Sequence, residues 1–249
     1  MKKATILHIP HASTRIPKQY LHSFDREKLS HELDVMTDWF CDELFESGRN
    51  RIVFPVSRLV CDVERFRDDE KEIMAKLGMG VTYRCASDLS PLRNVSDSER
   101  RDIIARYYDT HHRSFTGSVE KTLRTYGQCL IIDCHSFYPS PLPYEIQKEN
   151  DRPDFCIGTS EHHTPKELTE NLVHYFSGKG YSVKINSPFE GTIVPMKFYE
   201  KDINVISVMI EVNRKLYMDS PGMKSDRFPL INSVLREGIE IAENTVLLK

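Results

Sequence analysis

Residues 128–137, Gln-Cys-Leu-Ile-Ile-Asp-Cys-His-Ser-Phe, constrain the fold most, because an apolar run ends there in groups that carry chemistry. Leu130, Ile131 and Ile132, preceded by Tyr126-Gly127, have the unbroken hydrophobicity of a strand buried on both faces. That is what the middle of a parallel sheet demands. Asp133, His135 and Ser136 follow at the end of the run. In open α/β sheets, ligands and chemistry gather at the carboxyl ends of strands. His135 is therefore the first candidate for a metal ligand or acid–base group, with a hydrogen-bonded strand-end histidine as the plain alternative.

Two further strands end in the same way. Residues 4–9 lead into Pro10-His11-Ala12-Ser13, which places His11 just past a strand end, whereas His8 inside the strand reads as packing. Val205-Ile-Ser-Val-Met-Ile-Glu-Val is the strongest strand of the chain, with Glu211 at its end and Asn213, Arg214 and Tyr217 beyond. A carboxylate in so apolar a setting has its pKa raised unless it is paired, which suits a general base. A salt bridge to Arg214 or Arg58 is the alternative.

The remaining segments alternate helix and strand. Leu29, Leu33, Met36, Phe40 and Leu44 have the spacing of one amphipathic helix across residues 25–47. Ser96-Asp97-Ser98-Glu99 is a capping box opening a helix to about residue 124. Further helices are expected over 164–178 and 225–246, and further strands over 51–56, 154–159 and 181–185. Residues 66–95 have no period and read as an irregular excursion, a natural place for a substrate-covering loop. A Pro-rich loop (Pro139, Pro141, Pro143) follows the 128–134 strand. His111-His112 read as packing or surface, and His162-His163 as surface. The expected fold is a single α/β domain spanning residues 1–249, with a mixed, mostly parallel sheet flanked by helices.

Composition narrows the partners. A formal net charge of −3 gives no basic excess that recommends nucleic acid. No apolar run approaches the roughly 18 residues of a membrane helix. The N-terminus has two lysines, but His8 and Pro10 interrupt any signal-like apolar stretch, so a cytoplasmic location is expected. The six cysteines are scattered without a Cys-x-x-Cys pair, so a disulfide framework is not expected.

Three strand ends thus offer His11, His135 and Glu211. Asp34 and Asp38, one turn apart, offer either a ligand or a solvated acidic face. Arg58, Asp62 and Arg65 form either a surface ion cluster or a guanidinium grip for a carboxylate. Two histidines and one carboxylate leave a fourth zinc position open for water, and a separate glutamate can take that water's proton. No local His-Glu-x-x-His is present, so such a site must be assembled from distant segments.

Short motifs recur in order along the chain: Ile9-Pro-His-Ala-Ser13, Asp34, Ser57-Arg-Leu-Val-Cys-Asp-Val-Glu-Arg65, Asp133-Cys-His-Ser136, Asn186-Ser-Pro-Phe-Glu-Gly191 and Ile210-Glu-Val-Asn-Arg-Lys-Leu-Tyr-Met218. This ordered set resembles the N-formylglutamate amidohydrolase family, related in fold to zinc carboxypeptidases and aspartoacylase-type amidohydrolases. The resemblance implies a Zn2+-dependent hydrolase acting on a small N-acyl amino acid. His11, Asp34 and His135 would be its metal ligands and Glu211 its general base, with Arg58 stabilising an oxyanion. Arg58, Arg65, Asn186, Asn213 and Arg214 are then the candidates for substrate contacts. Two departures stand out. Ser13 occupies a position that is often glycine in the family, and the Asp-x-Asn-Arg pattern reads Asp62-Val63-Glu64-Arg65. A metallopeptidase or peptidoglycan-type amidase, and a non-catalytic binding protein, remain the alternatives.

Overall fold

The run that ends in His135 becomes β3 (Cys129–Phe137), every residue of which is buried. A computed structural model describes residues 4–247. The two N-terminal lysines read above as part of a non-signal terminus lie outside the described residues. β3 lies between β1 (Thr5–Ile9) and β6 (Val205–Asn213), which are also buried throughout. With β2 (Asn50–Val53), β4 (Phe155–Gly158) and β5 (Val183–Ile185) they form a six-stranded sheet in the order β2-β1-β3-β6-β4-β5. All neighbours are parallel except β4 against β6. The architecture is a single α/β domain with a mixed, mostly parallel sheet flanked by helices.

Side chains alternate between the two faces of a strand, and the alternation divides this sheet into two unlike surfaces. One face presents Leu7, Ile9, Leu130, Ile132, Val208 and Ile210. These pack on α2 (Cys41–Leu44), α5 (Lys166–Gly178) and α6 (Phe228–Val246), among them Leu172, Phe176, Leu235 and Ile239. Each such side chain contributes about 1.5–3 kcal/mol by leaving water. The opposite face begins equally apolar, with Ile6, Cys129, Ile131 and Val205 packed on Phe115 and Val119 of α4 (Asp109–Tyr126). Further along the same strands that face turns polar, with His8, Asp133, His135 and Glu211.

A separate apolar cluster lies beneath residues 54–95, combining Phe54, Val56, Leu59, Val60, Cys61, Val63, Met79, Val81 and Tyr83 with Val35 and Met36. This stretch has little regular structure, as its lack of period implied, but it is packed rather than loose. Its core anchors the loop that carries Asp62 and Glu64.

Three expectations need correction. The helix expected over 25–47 is two helices, α1 (Arg26–Met36) and α2, separated by a turn. Arg214 donates to the Val35 carbonyl at the end of α1, the Asp38 amide donates to the His11 carbonyl at 3.0 Å, and Phe40 adopts a left-handed backbone at φ 62°. Distant partners thus override an apolar period that runs through the break. The helix from Ser96 runs as α3 (Asp97–Ile103), a π turn at Ile104–Tyr108 and α4. His163, expected at the surface, is buried, with Nδ1 donating to the Val205 carbonyl and Nε2 accepting from the Glu200 amide, while His162 is exposed. All six cysteines are free thiols. Among the described residues no helix is long and apolar enough to cross a membrane.

Candidate metal-binding active site

The polar half of the inner sheet face gathers its groups by strand register. His8 lies beside Asp133 across β1 and β3, and His135 beside Glu211 across β3 and β6. His11 follows β1 by two residues. The loop above supplies the rest by alternation: Cys61 and Val63 point into the apolar cluster, whereas Asp62 and Glu64 turn toward the histidines. Helix α4 and the π turn before it support this arrangement, since His112 donates to the Val63 carbonyl at 2.9 Å and Tyr108 to the Arg65 carbonyl at 2.8 Å.

His11, Glu64 and His135 bring ligand atoms within 4.8 Å of one another. Each imidazole is oriented by a second carboxylate. His11 Nε2 is 3.0 Å from Asp62 Oδ1, which leaves Nδ1 facing Glu64 at 3.7 Å. His135 Nδ1 is 3.1 Å from Asp38 Oδ2, which leaves Nε2 at 3.2 Å from Glu64. Carboxylates behind ligating histidines are the usual second shell of a metal site. Asp38 is fixed by Arg214, whose other donors go to Ser136 and Val35, and Asp62 by Arg58 at 2.9 Å and Tyr83 at 2.8 Å.

Charge shows the same demand for a cation. Asp38, Asp62, Glu64, Asp133 and Glu211 face the guanidinium groups of Arg58, Arg65 and Arg214. With neutral imidazoles and Glu211 ionised, two negative charges remain, the charge of one divalent ion. Burial alone would lower the pKa of His135, but Glu64, Asp133 and Asp38 hold it well above its ordinary value. Burial would likewise raise Glu64, yet His135, His8 and His11 keep it well below. A proton on His135 thus serves where a cation would. His11 Nδ1, buried and with no hydrogen-bond partner among the described residues, is the atom such an ion would satisfy. Two imidazoles and one carboxylate are a donor set that fits zinc.

Glu211 stands apart from these pairs. It is buried, its Oε2 has no hydrogen-bond partner among the described residues, and burial, opposed first by His135 and reinforced by Asp38 and Glu64, pushes its pKa up to about 8. Behind the site, His8 bonds Asp133 at 2.9 Å and His111 at 2.9 Å. Burial and the neighbouring imidazoles pull His111 down to about 2, so it is a neutral acceptor. His8, Glu64 and Asp133 form a second close group that shares Glu64 with the first.

The sequence-based candidates therefore divide. His11, His135 and Glu211 meet. Asp34, expected as the carboxylate ligand, does not join them: it lies half-buried on α1, and its backbone carbonyl accepts from the Trp39 indole. Asp38 reaches the site only because the chain leaves the helix after Met36. Glu64, which had registered as a departure from a motif, supplies the carboxylate, and the strict alternation Cys61-Asp62-Val63-Glu64 was the signal available in the sequence. Arg58 and Arg65 border the site with 13% and 17% of their side chains exposed. Asn186 is spent on Thr159 at 2.8 Å from both its amide oxygen and nitrogen. Asn213 donates to the Pro153 carbonyl and accepts from the Lys215 amide, and Arg214 is buried in its bonds to Asp38, Ser136 and Val35. All three have these side-chain groups occupied within the protein.

A family model for N-formylglutamate amidohydrolases matches residues 3–218. A crystal structure of N-formylglutamate amidohydrolase from Ralstonia eutropha JMP134 superposes with a TM-score of 0.82 at 22% identity, covering 98% of this chain and 94% of that one. A gene product of Agrobacterium tumefaciens superposes at 0.68 with 16% identity, covering 97% and 92%. At these identities the likeness is one of fold. No curated protein matches the chain.

Proposed function

Because this chain belongs to the N-formylglutamate amidohydrolase family, we propose that it is a zinc-dependent hydrolase of the amide bond of an N-acyl amino acid, N-formylglutamate or a close analogue. The observation that carries the reading is the pairing of two orphaned buried atoms, His11 Nδ1 in the His11–Glu64–His135 group and Oε2 of Glu211 on the strand beside His135.

His11, Glu64 and His135 would hold the metal. Zinc bound there supplies Lewis acidity, lowering the pKa of water and polarising the acyl carbonyl. The remaining chemistry belongs to the chain. Glu211 takes a proton from the attacking water as its oxygen bonds to the acyl carbon, then returns that proton to the amine nitrogen as the C–N bond breaks. The products are the free acid and the amino acid. With an ion held by His11, Glu64 and His135, the Glu211 pKa would fall below about 8, toward the range where one carboxyl serves as base and then acid. Arg58, held by Asp62 through Nε and Nη2, keeps Nη1 and a fixed positive charge for the oxyanion. Arg65 adds a second charge at the same border.

Hydrolysis of N-formyl, N-acetyl and N-succinyl amino acids, with and without chelator and alongside metal analysis, tests this reading. Turnover of an N-formyl amino acid that chelation stops and zinc restores is expected. Full turnover in metal-stripped protein would refute the zinc assignment, and no turnover of any member would refute the substrate class.

A further inference from the structure

One buried cation near the site has donors that nothing described so far uses. Arg152 belongs to the segment of residues 138–153 that links the end of β3 to β4. It is only 6% exposed, yet its Nε and Nη1 have no hydrogen-bond partner among the described residues. Nη2 alone is paired, with the buried carboxylate of Glu145. Leaving charged donors buried and unmatched is costly, so such a group implies a partner that arrives with a ligand.

Its surroundings place it at the active site. The guanidinium carbon lies 5.6 Å from the ring centre of Phe137 and 5.8 Å from that of Phe189. Phe137 is two residues beyond His135 on β3, and the Phe189 carbonyl accepts from Cys156, the register neighbour of Glu211. Asn213 fixes the same segment to the end of β6 through the Pro153 carbonyl at 3.0 Å. The ionisable groups near enough to bear on Arg152 are Tyr144, Glu211 and Cys156. By contrast, Arg214 spends its donors on Asp38, Ser136 and Val35, and Arg58 and Arg65 are tied to Asp62, Met79 and Tyr83.

We propose that Arg152 is the specificity-determining receptor for the substrate carboxylate, held by Glu145 and flanked by Phe137 and Phe189 so that Nε and Nη1 are offered to an anion beside Glu211. This rests on the amidohydrolase reading and names the substrate group that the site recognises. Arginine suits the role because its planar fork stays charged when buried and matches carboxylate geometry. Glu145 holds one edge of the fork, which leaves the rest preorganised.

The test compares N-formyl amino acids as free acids and as carboxamides. In the native protein kcat/KM should favour the acid, and Arg152→Gln should bring the ratio toward one, a loss of roughly 10- to 100-fold. The loss should fall on KM far more than on kcat. Arg152→Lys, which keeps the charge and guards against misfolding of the glutamine variant, should recover part of the ratio. Glu145→Gln, which removes the carboxylate that holds Arg152 but leaves the guanidinium in place, should lose less of the ratio than Arg152→Gln. An undiminished acid preference in both Arg152 variants overturns the assignment, as does an equal loss in Glu145→Gln. If the native protein hydrolyses neither form, the functional reading fails, and calorimetric binding of N-acetylglutamate decides the receptor separately. Binding at least 10-fold weaker in Arg152→Gln supports it; equal binding, or none to either protein, overturns it.

Discussion

The two faces of the central sheet use the same three strands for opposite ends. On the α5–α6 face, Leu7, Ile132 and Val208 sit in an almost wholly apolar surface, where Thr5 is satisfied by Glu243 of α6, and stability accrues along the whole strand length. On the other face that pattern holds for Ile6, Ile131 and Val205, then gives way to His8, Asp133, His135 and Glu211. Burying these charges costs several kcal/mol per ion before pairing returns most of it. The molecule tolerates the cost because the first face and the cluster under residues 54–95 secure the strands and the Asp62–Glu64 loop independently. One face holds the sheet together, and the other puts ligands and a base on a support that does not yield.

The comparison breaks most decisively at the metal group. Chelation, or His135→Ala, should take metal content from about one ion per chain to near zero and abolish turnover, while the secondary structure read by circular dichroism persists. Unfolding on chelation would mean that the polar face carries stability after all. Next in size is Glu211→Gln, which should lower kcat by about 10²–10⁴-fold without loss of metal. The same variant sharpens the stability side. Glu211 has its folded pKa raised from 4.5 to about 8, so its contribution is fully favourable below 4.5 and lost as pH rises toward 8. Metal-free Glu211→Gln should therefore melt higher than the native chain above about pH 8, with the advantage shrinking toward pH 4.5. A lower melting temperature at high pH would show that Glu211 is paired.

The other face should respond in the reverse sense. Ile132→Ala should cost about 2–5 kcal/mol in denaturant unfolding, with KM for the substrate unchanged in the protein that remains folded. A selective rise in KM would show that the faces are mechanically coupled. Smaller again is Asp38→Asn, which keeps the volume but weakens the hold on His135 Nδ1. Metal affinity should fall about 10- to 100-fold, measured by competition with a chromophoric chelator.

This division also governs what was legible in the sequence. The main strands and the polar ends at His11, His135 and Glu211 show in the residues themselves, because burial on both faces demands an unbroken apolar run and any charge interrupting it stands out. Asp62 and Glu64 were harder to read. They sit in a loop without period, and what turns them inward is the packing of Cys61 and Val63 against residues as distant as Tyr83. Asp38 depends on a helix break made by Arg214 and the His11 carbonyl, which no local pattern encodes. The orphaned donors of Arg152 follow from the path of a proline-rich loop over the site, visible only in three dimensions.

The smallest expected effect is the most discriminating, because it separates the carboxylate that the sequence resemblance put forward from the one that lies between the histidines. Asp34 lies half-buried on α1, outside the His11–Glu64–His135 group, so Asp34→Asn should change stability by no more than about 0.5 kcal/mol and leave metal content and kcat/KM as they are. Glu64→Gln removes the only anionic member of the His11–Glu64–His135 group and relieves the attraction that raises the pKa of His135. Metal retention should collapse even at neutral pH, since an amide oxygen is a poor substitute for a carboxylate on zinc. If instead the chain keeps its metal in Glu64→Gln and loses it in Asp34→Asn, the loop is not where the third ligand comes from. The turn after Met36 would then have to unwind for α1 to reach the histidines, and the rigid support attributed to the polar face would be wrong at its base.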